Sequence, residues 1–376
     1  MTERWIDNTQ HPDWRAAIKA DEVLHEAKAG DRTVVIFKNA TWGTVLMLNG
    51  VCRLTTEDGF IQHEMLAHVP LMAHDKPRRV LILGGGDGGV LRECLKHPSV
   101  AKATLFESDR AVIDAALTHF PDVPGNALHD SRTQIVTGDA LEYLQDVNEK
   151  FDAIIVDGSA PVATSNSAEV RALFAACRRA LGDDGVLVTR SGPASPELAP
   201  LRETTAILAS LFRRVGAYFC ALPSSFGGPL AFVMASDDRD LLKLDATDLA
   251  KRQRKRAIAD LRYWTPEVHV AAFALPAYAE KVVEDAIAVS HAREELEKTA
   301  AEVARNEAKE REEQDRDAAK AAKKEAKDRE EQERAAAKAA KKEAKMLEEQ
   351  ANVAARAAKK KEKTEKNGKN AAEQDD

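Results

Sequence analysis

The chain has 376 residues and a net charge of −7, with 44% hydrophobic, 5% aromatic and 31% charged residues. All 19 aromatic residues lie before residue 291, whereas the last 86 residues hold 23 Lys/Arg, 23 Asp/Glu and 23 Ala and are neutral as a group. One globular body spanning the chain is therefore excluded, because the tail cannot bury enough apolar surface to offset its ordering entropy. No window of 18 apolar residues predicts a membrane-spanning helix. The polar start, Met1-Thr-Glu-Arg-Trp5, lacks the apolar core of a secretory signal. The acidic body argues against nucleic acid. Four scattered cysteines without a CxxC pair suit buried thiols in a reducing cytoplasm.

In chain order, residues 1–78 alternate as β-rich runs. Thr33–Phe37 and Gly43–Leu48 are followed by Asn49-Gly50, a two-residue hairpin signal, and by Val51–Leu54. A small antiparallel β domain is expected there, followed by a helix over Phe60–Ala73 with an apolar face at Met65, Leu66, Val69 and Leu71. From Arg79 the pattern changes. Val80–Leu83 is a continuous apolar run ending in Gly84-Gly-Gly-Asp-Gly-Gly89, and a helix over Val90–Lys96 follows. Ala103–Phe106 ends in Glu107, and Ala111–Phe120 reads as a helix. Gln134–Val136 ends in Gly138-Asp139, and Ala153–Val156 ends in Asp157. Gly185–Thr189 and Leu230–Ala235 are later strands. Strands alternating with helices predict a parallel, doubly wound α/β sheet over residues 79–289.

In the tail, 290–376, Glu-Glu-Gln recurs at positions 312, 330 and 348. Eighteen residues are five helical turns, so each copy returns to the same azimuth and no supercoil is implied. The Ala, Glu, Lys and Arg content favours helix, and opposite charges three and four apart reinforce it. A solvated single helix is the leading expectation, since Met346 and Leu347 make no apolar seam. A coiled coil or a lysine-rich tether remains open.

Glycines or acids end four successive predicted strands, where an open α/β sheet binds its ligand. Gly84 and Gly86 allow a ligand to approach the backbone at the next helix N-terminus. Glu107, 21 residues after Gly86 and at the end of the next strand, sits where a carboxylate holds ribose hydroxyls. Asp139 is in reach of an adenine amino group, and Asp157 faces the reacting centre. For each acid alone the alternative is a loop carboxylate or a helix cap. Asp87, inside the glycine loop, would repel a phosphate or a carboxylate and attract an ammonium. Decarboxylated S-adenosylmethionine, which has an amine and no carboxylate, fits that polarity.

At these residues the chain resembles the spermidine synthase (polyamine aminopropyltransferase) family, from about Trp5 to about Val283. The resemblance rests on Asn49–Met65, on Val80-Leu-Ile-Leu-Gly-Gly-Gly-Asp-Gly-Gly-Val-Leu-Arg-Glu93, and on Tyr263-Trp-Thr-Pro-Glu-Val-His-Val-Ala-Ala-Phe-Ala-Leu-Pro276. It implies a Rossmann-like, class I methyltransferase-like domain behind the small β domain, in homodimers or homotetramers. It further implies decarboxylated S-adenosylmethionine as co-substrate, a polyamine as substrate and no metal. By family role, Asp87 holds the aminopropyl amine, Glu107 the ribose, and Asp139 with Ala140 the adenine region. Asp157 is the proton acceptor, and His63 lies beside the polyamine site together with Gln62 and Asp87.

The departures lie on the acceptor side. Asp157-Gly-Ser-Ala160-Pro161 lacks the second acid of the family's Asp-x-x-Asp-Pro, and Gln62 stands in place of a tyrosine. Gly59 replaces an acid, and Ser225 and Trp264 replace tyrosines. Arg32 and Thr164 replace a glutamine and a proline that the family uses near methylthioadenosine. Three readings result: an aminopropyltransferase acting on an acceptor such as putrescine; a transferase with another amine acceptor or with S-adenosylmethionine, as in a methyltransferase; and a non-catalytic paralogue that binds ligand or acts as a scaffold.

Overall fold

The computed structural model describes residues 3–9, 13–29, 32–158, 167–194, 198–238 and 244–369. It divides into two compact units, Met1–Glu295 and Leu296–Asp376.

The first unit opens with a two-stranded ribbon, β1 (Arg4–Asn8) and β2 (Ala16–Ala20). A four-stranded antiparallel meander follows: β3 (Glu22–Ala29), β4 (Arg32–Asn39), β5 (Gly43–Leu48) and β6 (Val51–Thr55). Asn49 and Gly50 both have positive φ, 53° and 70°, the conformation a two-residue turn needs to match strand twist. The predicted hairpin is therefore present. The first three strands went unpredicted. Glu22–Ala29 has helix-favouring Glu, Leu, Ala and Lys, and its strand state comes from pairing with β4.

The helix expected after the meander is α1 (Gly59–Ala73). It has no single apolar face, because every residue in it except Phe60 is buried. It lies against α2 (Gly89–Leu95), β10 (Phe151–Val156), β11 (Leu181–Pro193) and β12 (Arg214–Cys220). Its polar residues are spent on specific partners. Glu64 accepts the backbone N–H groups of Arg262, Tyr263 and Trp264 at 2.7–2.9 Å. Just before the helix, Asp58 accepts from Ser224 N, Ser224 Oγ and Thr55 Oγ1 at 2.6–2.8 Å. Trp264 is buried in the core, tilted over His68.

The large sheet has seven strands in the order β12-β13-β11-β10-β7-β8-β9, with β7 (Arg79–Leu83), β8 (Lys102–Phe106), β9 (Thr133–Val136) and β13 (Leu230–Ser236). β9, β8, β7, β10 and β11 run parallel, as expected. β13 runs antiparallel to both neighbours, a departure from the all-parallel sheet. Residues 221–229, which carry no helix, join β12 to β13, and so short a connection can only return the chain antiparallel. The strand β12 was missed because Gly216 interrupts its apolar run.

Alternate strand residues face two cores. Val80, Ile82, Leu105 and Ile155 pack with α1 and α2. Leu81, Leu83, Ile154 and Leu187 pack with α5 (Ser167–Ala180) and α6 (Ala199–Ala209). Covering on both faces is why these strands read as continuous apolar runs.

The last helix is α9 (Ala277–Lys369). In the first unit its Ala279, Val283 and Ala286 are buried, and Ser290 Oγ donates to Ala206 O at 3.1 Å. In the second unit it is exposed over 296–363 and carries ion pairs such as Lys320–Asp317 and Arg334–Glu330. Among the described residues no helix is long and apolar enough to cross a membrane.

Candidate active site

The sheet order reverses between β7 and β10. From β7 the chain passes outward to β8 and β9, then returns to β10 and continues on the other side. The crevice beyond such a switch point is where open α/β sheets bind ligands. Gly84–Gly88, Glu107 and Asp157 all sit at this end.

The glycine loop must be glycine for lack of room. Gly85 has φ 71°, and a Cβ there would lie 2.6 Å from Asp157 Oδ2. At Gly84 (φ 81°) a Cβ would meet the Gly158 backbone N at 2.5 Å. A Cβ on Gly86 would lie 2.9 Å from the Glu107 side chain. Glu107 is nearly buried; its Oε2 accepts the Gly86 N–H at 3.1 Å and its Oε1 the Asp109 N–H at 3.2 Å.

Asp157 is buried at the end of β10. Its Oδ1 accepts a hydrogen bond from Gln62 Nε2 at 3.1 Å, and Gln62 Oε1 accepts one from Arg190 Nη1 at 2.9 Å. Burial raises the pKa of Asp157. Arg190 and His63 oppose this, Asp87 and Glu107 add to it, and the net displacement is upward. Asp87 is partly buried, and its Oδ1 accepts the Gly89 N–H at 2.7 Å. The same oxygen lies 3.4 Å from His63 Nε2. Burial works against charge on both members of this pair, yet each stabilises the charge of the other. His63 is held above its ordinary pKa and Asp87 below. His63 Nε2 has no aligned hydrogen-bond partner among the described residues.

Asp139 is exposed and caps α4 (Ala140–Asp146), its Oδ1 accepting from Leu141 N at 2.8 Å and Glu142 N at 2.9 Å. The capping alternative for this acid is thus realised, and Ala140 is the first residue of that helix. Arg32 begins β4, but its side chain lies outside the described residues, as do Ala160, Pro161 and Thr164. The structure brings Gln62, His63, Gly84, Gly86, Asp87, Glu107 and Asp157 together. Two cations escaped the sequence reading. Arg190 lies within β11, just past its apolar run, and is a cation where strand-end acids mark the rest of the site. Arg53, in β6, feels both Arg190 and Asp157, and burial followed by Arg190 draws its pKa down to about 10. A cavity of about 510 Å³ between β4–β5 and the Phe120–Val123 turn meets this cluster at His63.

His74, Asp152 and Asp184 gather at the opposite end of the parallel strands, with ligand atoms within 4.8 Å of one another. His74 Nδ1 accepts the Lys76 N–H at 3.1 Å, which puts the ring proton on Nε2, 3.3 Å from Asp184 Oδ2. A nitrogen carrying that proton has no lone pair for a metal, so this cluster is a set of hydrogen bonds and ion pairs.

Residues 59–246 match the spermine/spermidine synthase domain, and residues 4–56 match the spermidine synthase tetramerisation domain. The chain belongs to the spermidine synthase family. It is 35% identical over 280 residues to a polyamine aminopropyltransferase of Ruegeria sp. (strain TM1040), covering 74% of this chain and 98% of that protein. It is 40% identical over 258 residues to polyamine aminopropyltransferase 1 of Pseudomonas aeruginosa, covering 69% and 90%. A crystal structure of spermidine synthase with the transition-state analogue AdoDATO superimposes with a TM-score of 0.69 at 32% identity, over 75% of this chain and 97% of that one. Spermidine synthase from Thermotoga maritima gives 0.68 at 31%, over 75% and 96%. The family's activity makes this chain an aminopropyltransferase enzyme, with the methyltransferase-like fold of its structural neighbours. The methyltransferase and non-catalytic readings have no support from these relatives.

Proposed function

We propose that the chain transfers the aminopropyl group of decarboxylated S-adenosylmethionine to an amine acceptor such as putrescine. The observation that carries this is Asp157: a buried carboxylate with one oxygen held by Gln62 and the other turned over Gly85. The acceptor nitrogen attacks the methylene carbon beside the sulfonium. The N–C bond forms as the C–S bond breaks, the electron pair goes to sulfur, and 5′-methylthioadenosine leaves. The nitrogen sheds a proton, which Asp157 accepts. The sulfonium is already a good leaving group, so alignment and deprotonation of the nucleophile are the protein's contributions.

Glu107, pinned between the glycine loop and Asp109, would take the ribose hydroxyls. Asp139, whose cap uses one oxygen, has the other for the adenine region beside Ala140. Asp87 would hold the aminopropyl ammonium, with His63 between it and the acceptor and Gln62 at the acceptor's edge. The role of Arg32 beside the adenosine rests on resemblance alone. Gly84 and Gly86 keep the loop bare for the co-substrate. The match to a tetramerisation domain supports a homotetramer, or a homodimer within one. Four free cysteines, three of them buried, fit a reducing cytoplasm.

Arg53 and Arg190 add positive charge on the Asp157 side. That favours an acceptor with one ammonium over one with two, the second reading for the substrate. Incubation of the chain with decarboxylated S-adenosylmethionine and a panel of mono-, di- and triamines tests both. Methylthioadenosine release with at least one amine is expected. Binding of the co-substrate by calorimetry without release for any amine would refute the transferase reading.

A further inference from the structure

Arg190 takes no part in bond making or proton transfer above, yet it lies beside the proton acceptor in the site of a cationic substrate. A guanidinium would repel the acceptor, so its use must lie with the chain's own groups. Its partner is the oxygen of the Gln62 amide. An arginine only donates and an ionised carboxylate only accepts. The Gln62 oxygen must therefore face Arg190 and its NH2 must face Asp157. The flipped amide would set NH2 against guanidinium and oxygen against carboxylate, two repulsions in place of two hydrogen bonds.

We propose that Arg190 is a positioning residue for the reaction, locking the Gln62 amide so that its NH2 holds Asp157 Oδ1 and leaves Oδ2 to take the acceptor's proton. This rests on the reading of Asp157 as proton acceptor. The geometry is specific. Val156 pairs with Thr189 in the β10–β11 register, so Arg190 and Asp157 are the first residues past a shared rung. Gln62 reaches both from the buried face of α1. Oδ2 of Asp157 has no hydrogen-bond partner among the described residues and lies against Gly85, on the loop side.

The electrostatics act in the same direction. Asp157 is faced by Arg190 from β11, His63 from α1, Asp87 from the glycine loop, Glu107 from the end of β8 and Arg53 from β6. Burial and the two neighbouring acids favour its protonated form, and a carboxylic acid that already holds a proton cannot accept the nucleophile's. Of the groups that oppose this, Arg190 is the strongest. Arg190 thus keeps Asp157 ionised and, through Gln62, aimed.

The test measures kcat against pH for the full chain, using an amine that releases methylthioadenosine, alongside a carbon-13 carboxyl titration of Asp157 assigned with Asp157→Asn. Arg190→Gln should move both the acid limb of kcat and the Asp157 titration upward by about one pH unit. On the acid limb, below both pKa values, kcat should fall by about tenfold, and it should recover at alkaline pH, with KM for the co-substrate unchanged. Arg190→Lys should restore most of the displacement, and in a Gln62→Met background Arg190→Gln should have a smaller effect, limited to its direct charge. An Arg190→Gln profile that overlays the wild type, or one that falls equally at every pH, would overturn the proposal. If the wild type transfers to no amine, the transferase reading fails, but the titration still decides whether Arg190 governs Asp157. If Arg190→Gln does not fold, Gln62→Met alone must displace the titration, and an unmoved titration counts against the proposal.

Discussion

Two buried polar clusters draw on the same helix, α1, and are finished to different degrees. The first runs from Arg256 through His97 and His68 to Glu93. Arg256 Nη1 lies 3.4 Å from His97 Nδ1, His97 Nε2 lies 2.9 Å from His68 Nδ1, and His68 Nε2 lies 3.0 Å from Glu93 Oε2. Because arginine only donates, every proton on the chain is assigned: His97 donates to His68, and His68 donates to Glu93. Lys96 and Arg92 complete the carboxylate at 2.8 and 3.0 Å. Burial pushes the Glu93 pKa up, but these hydrogen bonds outweigh burial and hold it at about 2. The second cluster is Asp157, Asp87 and His63, also buried or nearly so. Asp157 is held by one hydrogen bond, to its Oδ1, and His63 Nε2 meets Asp87 only as an ion pair at 3.4 Å. The closed cluster stabilises the fold; the open one keeps its unfilled valences for a substrate.

That contrast can be broken from either side. Glu93→Gln should cause the largest loss of stability, because it strips the charge that Lys96, Arg92 and His68 were assembled around. A shift from the ordinary 4.5 to about 2 corresponds to ~3 kcal/mol, so chemical denaturation should show a loss of that order. Turnover per folded molecule should stay near that of the wild type. The sign with pH follows from the depressed pKa. The contribution is complete above pH 4.5 and is lost as pH falls toward 2, so the wild type should lose stability across that window and Glu93→Gln should lose less.

Next in size is Gly85→Ala. A left-handed φ costs an alanine about 1–2 kcal/mol, and the new methyl would press on Asp157 Oδ2. The expected outcome is a modest drop in unfolding free energy with a far larger drop in kcat. A kcat that survives would show that Oδ2 has another place to go. The His63–Asp87 pair should have a milder effect. His63 is held above its ordinary pKa, so the pair's stabilisation is present below about pH 6.5 and lost as pH rises through the folded value. His63→Gln should flatten that dependence in thermal melts across neutral pH. The smallest effect should come from truncation after Glu295, the limit of the first unit. Turnover and melting temperature of the remaining body should both match those of the full chain.

Much of the open cluster is legible in the sequence. Asp157, Glu107 and the glycine loop are sites because of where the strands end, and strand ends can be read from apolar runs bounded by acids and glycines. The links between them were not legible. Gln62 and Arg190 are 128 residues apart and meet only because α1 lies across the end of β11. Nothing local marks Arg190 as more than an ordinary residue within a strand. The helix α1 was legible as Phe60–Ala73, but its burial on all sides was not, because His68 and Glu93, polar in sequence, are core in the fold. Asp139 shows the converse, since a strand-end acid also serves as an ordinary helix cap.

The most direct test of this account is Asp157→Asn, assayed for turnover, co-substrate affinity and unfolding on one preparation. Burial holds the Asp157 pKa above its ordinary value, so its charge costs the fold stability at neutral pH. The account predicts kcat reduced by roughly 10²–10⁴-fold, the range for a lost general base, with affinity for decarboxylated S-adenosylmethionine little changed and stability equal or higher. Undiminished turnover, or rate, affinity and stability falling together, would contradict it.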